Sequence, residues 1–436
     1  MHRAPAKRLL LLVPTTTYRT EDFMEAARRL DVDLVVAAER PNVMAGEFPD
    51  HLLTVPFDDP ERAAGEVAEY ARRRPLDAVV PVDDETTLVG AAIAARLGLR
   101  CNPVGAVAAA RNKRLMRERL AKAGVAGPAF TTVSVDEDPV AAARRMAYPC
   151  VLKPLMLSAS RGVIRADDPA AFVRAFERVR AILAEPEVAG LGEGTDQILV
   201  EAFVPGVEVA LEGLLIAGAL SVLALFDKPD PLDGPYFEET IYVTPSRLPE
   251  DVQAAIAAET RWAARALGLV EGPIHAELRV NEHGAWVVEV AARTIGGLCS
   301  RTLRFGAGIS LEELVIRHAL GVELDSLERE RRPAGVMMIP IPRGGVLRAV
   351  QGREDAAAVP GIEDVTISAH VGQELVPLPE GSRYLGFILA RAESPDAVEA
   401  ALRAAHARLH FDVDPAGSAR PSDAAPPADP SEEFWA

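Results

Sequence analysis

The chain has 436 residues, enough for about three domains, and its 49% hydrophobic and 25% charged content is globular, which excludes wholesale disorder. Its 64 acidic against 47 basic residues give a net charge of −17, which argues against nucleic acid or an anionic membrane surface as the main partner. The 3 cysteines, Cys101, Cys150 and Cys299, lie far apart with no C-x-x-C spacing. They exclude a disulfide framework and a thiolate metal site, and they fit a reducing, cytoplasmic setting.

The apolar run Leu9 to Val13 is too short for a signal-peptide core or a membrane span and predicts a buried first strand starting at Arg8. A helix over 21–30, a strand over 32–37, a helix over 61–74, a strand over 77–82 and a helix over 86–97 follow. Apolar strands alternating with helices over the first ~105 residues predict a three-layer α/β domain with a parallel sheet and its ligand edge at the strand C-terminal ends. The glycine fingerprint of a dinucleotide site is missing after the first strand, where Pro14-Thr15-Thr16-Thr17 stands. From 106 to about 330 the pattern becomes α+β, with a basic helix over 112–123, hairpin strands, helices over 170–183 and 251–267, and a Gly/Glu-rich connection at 185–196. The charged run Arg329 to Pro333 marks a boundary, 334–412 reads as a small α+β unit, and the Pro/Ala/Ser-rich 413–436 as a disordered tail.

The strongest chemical signal is a pair of alternating strands, His275 to Val280 and Ala285 to Val290, joined by Asn281-Glu282-His283-Gly284. A three-residue loop Glu282-His283-Gly284 pairs Asn281 with Ala285 and sets Glu277 opposite Glu289; a two-residue loop puts them on opposite faces. Like charges directly opposed are unfavourable unless a cation separates them, and magnesium suits a few carboxylates shared with phosphate oxygens. Two solvated glutamates on an exposed face fit the same pattern. His275 shares the face of Glu277, as a site residue or as a hydrogen-bonded structural histidine, and Arg293 shares the face of Glu289. Lys153 ends the apolar strand Cys150-Val151-Leu152, where a buried ammonium needs an anion. The loop Ser158 to Val163, with Ser160 inside it, is small enough to approach phosphate or to be a plain hairpin turn. In Val200 to Glu208, Glu208 returns on the strand after a Pro-Gly turn, placed for ribose hydroxyls, and the Ala202–Val204 backbone could read an adenine edge; an ordinary hairpin with edge glutamates fits equally.

In this order and spacing, these pieces and Asn112-Lys113 resemble the ATP-grasp superfamily, over residues 5–321. The resemblance implies an ATP-grasp fold preceded by the α/β domain, with a lid at roughly 130–196, and a small C-terminal α+β domain. It implies ATP and Mg2+ (or Mn2+). Lys113 and Lys153 would hold phosphates, Glu201, Ala202 and Val204 would line the adenine pocket, Glu208 would hold the ribose, and Glu277 and Glu289 the metal. Within the superfamily the chain is most similar to the L-amino-acid ligases. Arg293-Thr294-Ile295-Gly296-Gly297 resembles their substrate turn, Gly234 to Glu239 with Thr244-Pro245-Ser246 their substrate loop, and 334–412 their extra domain. Glu85 matches a position for a substrate ammonium. Ala291 departs from the asparagine that many ATP-grasp enzymes carry there, leaving a second metal one ligand short.

The activity so implied is ATP-dependent joining of an amino-acid carboxylate to an amine, through an acyl phosphate. Arg293 would hold the carboxylate, N–H groups near Gly296 and Gly297 would face the oxyanion, and Glu239 or Glu238 would take the amine. The substrate side chains would be set by 235–245 and 297–301. The partners are then small-molecule amino acids, with a homodimer as the family expectation. Competing readings are another ATP-grasp ligase or carboxylase relative, a non-catalytic nucleotide-binding module, and a dinucleotide oxidoreductase, which the missing fingerprint opposes.

Overall fold

The computed structural model describes residues 7–415 other than 43, 45 and 193. The N-terminal strands Arg8–Leu12, Asp33–Ala38 and Ala78–Pro81 form a parallel sheet with a short edge strand, Leu52–Thr54, that the sequence reading missed. Three residues are too few to carry a periodic signal. Leu9 to Leu12 are fully buried, because helices Thr20–Arg29 and Leu311–Ala319 lie on one side and Pro60–Arg73 and Asp84–Leu97 on the other. Loops at the C-terminal ends of the strands, around Thr17 and Asp84, open onto the main cleft, as the α/β reading required.

A second sheet is antiparallel, in the order Phe130–Ser134, Gln197–Ala202, Cys150–Pro154, Ile164–Ala166, and helix Pro169–Leu183 packs Phe172, Phe176 and Val179 against it. This is the part expected to act as a lid. The stretch expected as a bare connection at 185–196 contains a helical turn, Pro186–Ala189.

The third sheet has eight strands and runs from hairpin Gly284–Ala291/Gly272–Asn281 through Val207–Ile216, Ala219–Lys228 and Ile241–Thr244 into Ala334–Ile339, Gly386–Arg391 and Ile362–Ile367. Ile241–Thr244 pairs with Ala334–Ile339, so the sheet crosses the boundary read at 329–333. Val413 and Asp414, expected in the tail, end strand His410–Asp414; the rest of that tail from 416 lies outside the described residues. No helix among the described residues is long and apolar enough to cross a membrane.

Candidate active site

The hairpin that should hold the two glutamates closes differently from the sequence expectation. Asn281 pairs with Gly284, so the loop has two residues, the register that would separate Glu277 from Glu289. The register then shifts: Leu278 pairs with Val287 but Glu277 pairs with Glu289, leaving Val288 as a bulge residue. The bulge restores the facing pair that the shorter loop would have lost. Arg117, buried on helix Lys113–Ala123, holds the bulge by donating to the Val287 carbonyl (2.8 Å) and to that of Val288.

The cleft above this hairpin has a volume of about 810 Å3, and the expected phosphate, adenine, ribose and metal residues line it together with Glu85, Glu239, His275, Arg293, Gly296 and Gly297; Glu238 and Arg301 do not. Lys153 stands two positions along from Val151, which pairs with Glu201, so the lysine meets Glu201 diagonally at 2.7 Å. Arg117 bonds the other Glu201 oxygen. Burial works to raise this carboxyl, but the two cations outweigh it and hold it at about 2. Two cations on one carboxylate leave a net positive charge in this wall. Asn112 caps the helix by accepting from Arg114 and Leu115 (3.1 and 3.2 Å), which aims Lys113 at the Leu157 carbonyl (2.7 Å) and Glu289 (3.6 Å). The loop around Ser160 lines the same cleft, and its residues Ala159, Ser160 and Gly162 all have positive φ. A Cβ at Gly162 would stand 2.6 Å from Pro154 Cγ, so only glycine fits. Ala202 and Val204 line the cleft beside Phe203 and Phe237, an aromatic pair 6.5 Å apart that the sequence reading did not single out.

At the centre is Lys228, which no sequence pattern marked. Its ammonium is buried and reaches Glu208 (2.8 Å), Glu239 (2.5 Å) and Glu277 (3.0 Å). Arg279 also bonds Glu208 (3.0 Å). Glu208, expected at the ribose, thus shares a cluster with Glu277, and Glu239, expected at the amine, completes it; one oxygen from each lies within 4.8 Å of the others. Burial, together with the charge of Glu277, pushes the Glu239 carboxyl up to about 7 against the opposing pull of Lys228. Three hard oxygen donors so close fit a magnesium- or manganese-sized cation in competition with Lys228. Two of them stand in addition to the expected pair, which bears on the ligand lost at Ala291. Glu289 does not join this group: its carboxylate faces Lys113.

In the same cleft, Arg293 bonds Asp84 (2.7 Å), the first residue of helix Asp84–Leu97, with Glu85 exposed beside it. Burial acts to raise the Asp84 carboxyl, but Arg293, Arg111 and Lys113 prevail and lower it. His275 Nδ1 lies 3.5 Å from buried Glu212 and Nε2 3.5 Å from Glu277; despite burial, these acids raise its pKa. Glu212 also accepts from Ile295 N–H (3.0 Å) in the substrate turn.

Two expectations here need correction. The Gly297 N–H does not face an oxyanion position: it donates to Tyr18 Oη (2.6 Å), from the loop after the first strand. Gly297 itself is required, since it has φ +64 and a Cβ there would strike Met338. Arg301, placed among the side-chain-selecting residues, turns away to Asp22 (3.0 Å). Met338, Tyr384 and Phe387, from beyond the 329–333 boundary, line the cleft.

Comparison with known proteins fits this geometry. The ATP-grasp N-terminal domain family matches residues 24–100, the ATP-grasp domain family 146–302, and L-amino acid ligase C-terminal domain 2 matches 337–414. Protein y4rH of Sinorhizobium fredii, itself uncharacterised, is 23% identical over 94% of this chain and 84% of its own length. Alanine–anticapsin ligase of Bacillus subtilis is 26% identical over 64% of this chain, which spans only 60% of that enzyme. The crystal structure of an L-amino acid ligase from Bacillus licheniformis, 28% identical, superposes with a TM-score of 0.76 over 94% of this chain and 99% of that one. The three matches follow one another along the chain: it carries an ATP-grasp domain between an ATP-grasp N-terminal domain and an L-amino acid ligase C-terminal domain, and it has the architecture of an L-amino acid ligase.

Proposed function

We propose that the protein joins the carboxylate of one amino acid to the amine of a second, through an acyl phosphate, releasing ADP and phosphate. The observation that carries this reading is the set of charges gathered at one cleft. Lys153 and Arg117 on Glu201, Lys113 beside Glu289, the carboxylate cluster around Lys228, and Arg293 on Asp84 next to Glu85 all meet there. That set suits a triphosphate whose last phosphoryl group meets a carboxylate held by Arg293.

The base would lie against Ala202, Val204 and the Phe203–Phe237 pair, where a planar ring can stack. Ser160 and its loop would cover the phosphates. Glu277, with Glu208 and Glu239, would hold a divalent cation, and Glu289 would complete its surroundings from across the hairpin. When bound, that cation supplies Lewis-acid stabilisation of the charge on the transferred phosphoryl group.

Arg293, fixed by Asp84, would orient the carboxylate through its remaining N–H groups and later hold the acyl phosphate. Glu85 would bind the ammonium of the same amino acid. Glu212 would position His275 and, through Ile295, the turn carrying Gly296 and Gly297. Because Tyr18 occupies the Gly297 donor, Arg293 is the better candidate to face the oxyanion as the amine attacks the acyl carbon.

The reading is tested by a matrix of amino-acid pairs with ATP and Mg2+, recording product mass and phosphate release together. Phosphate release that needs two amino acids and matches a product of their summed mass less water supports it. Phosphate release with bicarbonate alone, or none with any pair, overturns it.

A further inference from the structure

The segment between strands Glu374–Leu375 and Gly386–Arg391 belongs to the C-terminal part of the chain, yet it touches the lid at two points. The Pro379 carbonyl accepts from Gly162 N–H (2.8 Å), inside the small-residue loop. The next residue, Glu380, forms a two-pronged ion pair with Arg178 on helix Pro169–Leu183, Nη2 to Oε2 at 2.8 Å and Nε to Oε1. Arg178 also donates to Tyr236 Oη and lies 5.1 Å from the centre of that ring. Tyr236, from the substrate loop, is bridged in turn to Ile164 of the lid sheet. A few residues on, Ser382, Arg383 and Tyr384 of the same segment line the substrate end of the cleft.

We propose that residues 377–384 form a positioning strap: the Arg178–Glu380 pair and the Gly162–Pro379 hydrogen bond hold the Ser158–Val163 loop down and tie its position to the wall around the substrate. The loop at Gly162 has little conformational choice, so fixing its N–H fixes the whole turn. Arg178 and Glu380 are 41% and 35% exposed, so their pair is weak and reversible, which a lid opened on every turnover requires. A closed loop also shields an acyl phosphate from water. This lid role rests on the ATP-dependent reading; the strap contacts themselves do not.

The test is hydrogen exchange of the 158–163 segment in the full chain, for wild type, Arg178→Gln, Glu380→Gln and the charge swap R178E/E380R. Each single variant should exchange this segment about fivefold faster, with the N-terminal sheet unchanged, and the swap should return it to within about twofold of wild type. In the ligation assay, the singles should release more ADP per product formed, and the swap should restore the ratio. Unchanged exchange in folded single variants, or a swap as fast as the singles, overturns the strap. Adding a non-hydrolysable ATP analogue with Mg2+ separates the two ideas. If it fails to slow exchange of the segment in wild type, the nucleotide reading falls while the strap contacts stand or fall on the variants alone.

Discussion

Glu201→Gln is the sharpest test of the positive wall, because its cost follows from the structure. Glu201 is 3% exposed and bonds both Arg117 and Lys153. Against strong desolvation, these cations hold its carboxyl at about 2, down from 4.5. At about 1.4 kcal/mol per pKa unit, that is on the order of 3 kcal/mol of folding free energy. Removing one partner of a buried ion pair leads to the same range, about 3–5 kcal/mol, because Arg117 and Lys153 are left uncompensated. The sign follows from linkage: the folded pKa is depressed, so the contribution is complete above the unfolded value and is lost as pH falls through the folded one. Urea denaturation should find the variant about 3 kcal/mol less stable than wild type at pH 7, with the gap narrowing as pH drops from about 4.5 towards 2. A gap under about 1 kcal/mol at pH 7, or one that does not narrow on acidification, refutes the reasoning.

The other predictions concern the rest of the cleft. Lys228→Met should destabilise the protein by about 3 kcal/mol or more in EDTA, and Mg2+ at about a hundred times its Kd should return about 2.7 kcal/mol; equal losses with and without Mg2+ would remove the cation from the Glu208–Glu239–Glu277 cluster. Glu289→Gln should abolish amino-acid-dependent ADP release while circular dichroism stays that of wild type, and near-normal activity would reject its role beside the metal. Arg293→Met should still bind ATP in calorimetry but lose product formation by about 100-fold or more, and undiminished product would take Arg293 out of the mechanism.

The sequence exposed those features that local rules govern. Lys153 stood out as a charge ending an apolar strand, and the Gly284 turn marked the hairpin even though its loop length was misjudged. The right facing pair emerged from a wrong loop because the Val288 bulge moves the register by one. Bulges answer to tertiary contacts, here the Arg117 bonds to the Val287 and Val288 carbonyls, and leave little trace in alternation. Lys228 carried no sequence signal, since the three acids around it come from three other segments. Asp84 was overshadowed by Glu85, because only folding brings Arg293, 209 residues away, to it. Tyr18 had no pattern at all, being one aromatic in a loop. The C-terminal wall of Met338, Tyr384 and Phe387 was hidden for a related reason: a charged, proline-ended boundary in sequence is bridged by continuous strand pairing in space.

The most direct measurement follows one oxygen. With an amino acid labelled with 18O in its carboxylate, ATP, Mg2+ and the accepted amine, the account predicts that the released phosphate carries one 18O per molecule of ligated product, with ADP as the nucleotide product. Unlabelled phosphate alongside ligated product, or label appearing in AMP, would contradict an acyl phosphate and with it the proposed order of events in the cleft.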